Sequence, residues 1–103
     1  MGNPHIERLW LQSVDLEEDI LSTIFRTNSW KYTVKIMWIT YCKLGDNSVK
    51  TISELLKGNK KVTSLNLENN EIGEEGANHL VKLLRYGCVI KKLRTEFIRP
   101  KYQ

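Results

Sequence analysis

Aliphatic residues recur every 28 positions along the 103-residue chain. One register holds Ile6, Val34, Val62 and Ile90, and a second holds Leu9, Met37, Leu65 and Leu93. A third holds Leu11, Ile39 and Leu67 with Thr95 in the fourth place, and a fourth holds Leu16, Leu44 and Ile72 with Pro100. Gly45 and Gly73 repeat once at the same spacing. A period of this size marks a stack of supersecondary units, each burying its apolar face only against its neighbours. The units are 6–33, 34–61, 62–89 and a partial fourth, 90–103, within one expected domain.

Within a unit the pattern is L-x-x-L-x-L-x-x-N/C-x-L, which belongs to leucine-rich repeats. Residues 62–72, VTSLNLENNEI, fit it throughout, with Asn70 at the Asn/Cys place. Residues 34–44, VKIMWITYCKL, fit it with Cys42 there. A side chain buried at that place must satisfy backbone groups where the chain turns out of a strand. Val14 and Ile98 hold it in the outer units, which therefore read as terminal and cap-like.

The second half of each unit reads as helix. Ala77, Leu80, Leu83 and Leu84 share one face at spacings of three and four, Glu74 and Glu75 suit the positive end, and Gly87 reads as the stop. In the preceding unit Asp46 or Asn47 opens a helix, Val49, Ile52, Leu55 and Leu56 face inward, and Gly58-Asn59 closes it. In the first unit, Leu21, Ile24 and Phe25 are the inward side of a helix that gives way to a looser 28–33. The pattern predicts strands near 8–12, 36–40, 64–68 and 92–95, and helices near 18–27, 47–57 and 74–86. No helix is expected after the last strand.

The period, together with the run from Asn69 to Ala77, NNEIGEEGA, resembles the ribonuclease-inhibitor-like class of leucine-rich repeats. NOD-like receptors, Ran GTPase-activating protein and tropomodulin belong to that class. The resemblance implies an α/β fold: a short right-handed solenoid with a parallel sheet on its concave side and helices on its convex side. It also implies protein binding, since these families share a scaffold and no chemical site. The run from Leu56 to Leu67 is similar to tropomodulin repeats, which makes a cytoskeletal or GTPase-regulatory role the alternative expectation.

Enzyme chemistry has no support in the residue inventory. His5 lies in the N-terminal tail, and His79 falls on the expected outward side of its helix. Cys42 takes a buried turn position and Cys88 a loop, neither with a foreseeable histidine partner. Glu68, Glu71, Glu74 and Glu75 lack the alternating acidic spacing of a calcium loop. No phosphate-cradling glycine loop occurs. No catalytic residue, metal or cofactor is expected.

Sixteen basic residues against twelve acidic ones leave a net charge of +4, a mild excess. Lys57, Lys60 and Lys61 cluster in one loop, and Lys91, Lys92, Arg94, Arg99 and Lys101 at the end, with only Phe97 and Tyr102 beside the latter. Nucleic-acid faces interleave such charge with stacking aromatics, so nucleic acid is disfavoured and solvated loop charge preferred. No apolar run approaches the ~18 residues of a membrane helix, so no membrane partner is expected. Acidic residues interrupt any signal-peptide core, and two widely separated cysteines without a glycosylation sequon fit a reducing, cytoplasmic setting.

Strand alternation then maps a candidate face. With Leu9, Met37, Leu65 and Leu93 inward, the column Trp10, Trp38, Asn66, Arg94 points outward. Beside it run Arg8, Ile36, Ser64, Lys92 on one side and Gln12, Thr40, Glu68, Glu96 on the other. Two adjacent tryptophans on an open sheet suit a protein partner, unless they merely pack on each other or lie under the tails. The expected contact residues are Arg8, Trp10, Ile36, Trp38, Thr40, Tyr41, Glu68 and Arg94. The last strand is blunted by charge and Pro100. The first offers an open edge for a homodimer or larger assembly, unless residues 1–5 fold back over it.

Overall fold

The computed structural model describes residues 7–16, 18–26, 30–85 and 89–95. Four strands, β1 (Arg8–Gln12), β2 (Ile36–Thr40), β3 (Ser64–Leu67) and β4 (Lys92–Thr95), lie parallel in sequence order. Between them come α1 (Glu18–Arg26), α2 (Trp30–Thr33), α3 (Asp46–Leu56) and α4 (Glu74–Arg85). The expected strands and main helices are present to within one or two residues.

The register reproduces the period. Leu9 pairs with Met37, Met37 with Leu65 and Leu65 with Leu93, and Trp10, Trp38, Asn66 and Arg94 follow in the same order. The entry to each strand is tied alike: the carbonyls of Glu7, Lys35 and Thr63 accept from the amides of Lys35, Thr63 and Lys91. Met37, Ile39, Leu65 and Leu67 are sealed between sheet and helices with Leu44, Ile52, Leu56 and Ile72.

Asn70 and Cys42 explain why their position is restricted. Asn70 Oδ1 accepts from the Cys42 and Leu44 amides at 2.9 and 3.2 Å, while Nδ2 donates to the Ile39 carbonyl at 2.7 Å. Cys42 Sγ takes a reduced version of that role, 3.2 Å from the Thr40 carbonyl and 3.6 Å from that of Leu11. Each side chain reaches back to the equivalent carbonyl of the preceding unit, so it couples repeats as well as closing its own turn.

Two expectations are corrected, and a third residue has a role beyond the expected one. The looser segment 28–33 contains a helical turn, α2, whose Trp30 is buried. Its indole N–H donates to the Phe25 carbonyl at 3.2 Å, and its ring meets Phe25 edge-on at 5.2 Å, which anchors the turn to the core. Leu84 does not share the inward face; it is exposed along with Val81, because α4 meets α3 on one side only among the described residues. Asp46 opens α3 but serves the next unit, its Oδ1 accepting from the amides of Gly73 and Gly76 at 2.7 and 3.0 Å. It thereby caps the start of α4 from the neighbouring repeat. The chain closes α3 as expected, with Gly58 at φ +79° and Asn59 Oδ1 accepting from the Lys61 and Val62 amides.

Expectations resting on residues 1–6, Gly87, Cys88 and 96–103 lie outside the described residues. They include the fold-back cap, the helix stop, Ile98 at the Asn/Cys place, Glu96 in its column and the charged, Pro100-bearing tail.

Candidate functional site: the open face of the sheet

The outward side chains of the four strands enclose a shallow trough of about 260 Å³. Its centre is the tryptophan pair. The parallel register sets Trp10 beside Trp38, with ring centroids 4.5 Å apart and planes tilted by 58°. The rings do pack on each other, yet Trp10 keeps 57% of its surface exposed. Its indole N–H is turned to Gln12 Oε1 at 3.1 Å, which fixes the ring's orientation. Ile36 continues the apolar strip, and Ser64 and Asn66 form the small, polar far wall.

Cations rim this strip. Arg8, Lys92 and Arg94 line the trough and are exposed. The Glu68 carboxylate, half-buried, lies 4.0 Å from the exposed Arg94 guanidinium, a long contact that adds little stability. A surface of this kind suits a partner that inserts an apolar side chain between carboxylates.

Of the expected contact residues, Arg8, Trp10, Ile36, Trp38 and Arg94 line the trough together. Glu68 stands beside it through Arg94. Tyr41 is exposed at the end of β2 but outside the trough, its backbone at φ 56°. Thr40 is a correction: it is buried at 6% exposure, so it has little surface to offer a partner. Asn66, outward in register, is also buried, its Oδ1 accepting from the Glu68 amide at 2.9 Å to close the turn after β3. Lys92 and Ser64 were not among the expected contacts, although the column Arg8, Ile36, Ser64, Lys92 already placed them on this face.

On the helical side, His79 is not simply solvated. It is half-buried in a groove between α3 and α4 with Ser53 and Leu83. Among the described residues, no group of three or more His, Cys, Asp or Glu is placed to hold a metal ion, and no helix is long and apolar enough to cross a membrane.

No protein-family model matches the chain. Among solved structures it is similar to leiomodin-1 actin-binding site 2, with a TM-score of 0.80 and 24% identity. The match covers 95% of this chain and 57% of that one, so the chain spans little more than half of its structural neighbour. The likeness establishes a leucine-rich-repeat-like α/β fold.

Proposed function

We propose that this chain is a non-enzymatic protein-interaction module of the cytoplasm that grips a protein partner on the open face of its sheet. The observation that carries the reading is the Trp10–Trp38 pair, set side by side by the register, oriented by Gln12 and still open to solvent. Buried aromatic anchors supply most of the energy of protein interfaces, and the cations around this pair would fix the partner's orientation. The free, buried thiol of Cys42 agrees with a reducing setting.

A second, narrower reading is cytoskeletal, with actin as the partner. The structural neighbour, an actin-binding site of leiomodin-1, favours it. Affinity capture with mass spectrometry, followed by titration of the recovered partner, tests the general reading. Trp10→Ala/Trp38→Ala should weaken binding about thirtyfold or more while the fold is retained. Undiminished binding by the folded double variant would remove the sheet face from the proposal. Direct titration with monomeric actin decides the narrower reading: no saturable binding by the unmodified chain excludes it.

A further inference from the structure

The trough on the sheet is not uniform along its length. Two rows of side chains cross the strands, Arg8, Ile36, Ser64 and Lys92 in one and Trp10, Trp38, Asn66 and Arg94 in the other. Its apolar surface lies at one end, where β1 and β2 carry Trp10, Ile36 and Trp38. On β3 the lining is short and polar, and β4 ends both rows in exposed cations, Lys92 and Arg94. The trough therefore has an apolar end and a cationic end.

Charge on this face is unbalanced. Arg8 and Lys92 have no carboxylate partner among the described residues, and Arg94 has only the long contact with Glu68. Exposed cations by themselves would be solvated charge, worth little to any partner. Here they flank an apolar strip in which Trp10 keeps 57% of its surface exposed. A partner that covers the tryptophans also strips water from the neighbouring cations, so the groups it sets against them must be negative. A neutral or basic partner would leave them desolvated and unpaired.

The spacing selects the partner's conformation. Parallel strands lie about 4.8 Å apart, so four of them span about 14 Å, nearly three turns of helix. The step from the tryptophan pair to the β4 cations is about 12 Å, the rise of about eight helical residues. The strands pair their backbone groups with one another within the sheet. An extended segment crossing the face would therefore set its own amides and carbonyls against indole and isoleucine side chains, unmatched. A helix satisfies those groups internally and presents one stripe of side chains.

Building on the sheet face as the binding surface, we infer that its occupant is an acidic amphipathic helix laid across the strands. One apolar side chain sits on Trp10, Trp38 and Ile36, and carboxylates about two turns away meet Lys92 and Arg94.

Random peptides of about 16 residues, long enough for about four helical turns, test this when displayed on phage and selected on the immobilised chain. Enriched peptides should carry an aromatic or large aliphatic residue with Asp or Glu about seven or eight places away. Synthetic copies should lose binding to Trp10→Ala/Trp38→Ala and weaken about tenfold or more with Lys92→Gln/Arg94→Gln. The latter pair is exposed, so its replacement leaves the fold intact. Lys60→Gln/Lys61→Gln, with equal charge removed from a loop off this face, should bind as the parent does. Isotope-labelled copies should show helical backbone shifts when bound. Neutral or basic peptides that need the tryptophans, or acidic ones bound in extended form, overturn the acidic helix and leave the sheet face standing as the binding surface. Failure to enrich any peptide, or enriched peptides indifferent to the tryptophans, overturns both. So does an oligouridylate probe that binds more tightly than any of the peptides and needs the same tryptophans, which would assign the face to single-stranded nucleic acid.

Discussion

At the residue scale, the left-handed turn after each strand is where this chain departs most from local preference. Ser13, Tyr41 and Asn69, 28 positions apart, have φ of 59°, 56° and 60°. Asparagine tolerates that region, whereas a bulky side chain is held there at a cost of about 1–2 kcal/mol. Tyr41 bears this cost while exposing more than half of its surface, so packing does not explain its presence. Tyr41→Asn should stabilise the fold by about 1 kcal/mol, read as a higher denaturant midpoint at unchanged slope. If Tyr41 touches the partner, the same variant binds more weakly, gaining stability while losing function. A variant of unchanged stability would show that the turn carries no strain at this position.

At the scale of elements, strands and helices were legible because the 28-residue register and the helical spacing both report which side chains are inward. The Asn/Cys place was legible for the same reason. Three features were not. Trp30 lies in an aperiodic segment, and its anchoring depends on Phe25, a contact that no period encodes. Thr40 and Asn66 were placed in outward columns, yet both are buried, Asn66 with its side chain closing the turn after β3. The groove between α3 and α4 requires two helices to meet, so of its three lysines only Lys57 was legible along the chain, as loop charge.

Asp46 is the most consequential element-level contact. Its carboxylate holds two amides at the start of α4, and Gly76 is glycine because an added Cβ would lie 2.7 Å from both Asp46 Oδ1 and Ile72 Cγ2. Asp46→Ala should cost about 1–2 kcal/mol, and Asp46→Asn less, since the amide oxygen can still accept both bonds. Chemical denaturation of the pair checks the ordering. Equal losses would show that the negative charge, rather than the acceptor, does the stabilising.

Across the whole molecule, burial falls off towards the two outer strands. Met37, Ile39, Leu65 and Leu67 are at most 1% exposed, whereas their equivalents Leu9, Leu11 and Leu93 are only half-buried. Thr95 replaces the aliphatic residue of its column, and its sealed hydroxyl has no partner. In a stack stabilised by nearest-neighbour contacts, such strands should open before the middle pair. Leu65→Ala should therefore cost about 2–5 kcal/mol and unfold the whole chain on mild heating, while Leu93→Ala costs less because less surface is lost from the core. Native-state hydrogen exchange should rank β2 and β3 amides as slowest, with β1 and β4 exchanging through smaller openings. The same experiment bears on the open edge of β1, which pairs only with β2 among the described residues. If two first strands meet antiparallel in a dimer, as we propose for assembly through that edge, protection at residues 8–11 must rise with protein concentration. Light scattering should then show the doubled mass over the same range. Exchange at those amides that is independent of concentration, together with a 12.1 kDa scattering mass, would leave the edge free and exclude the dimer.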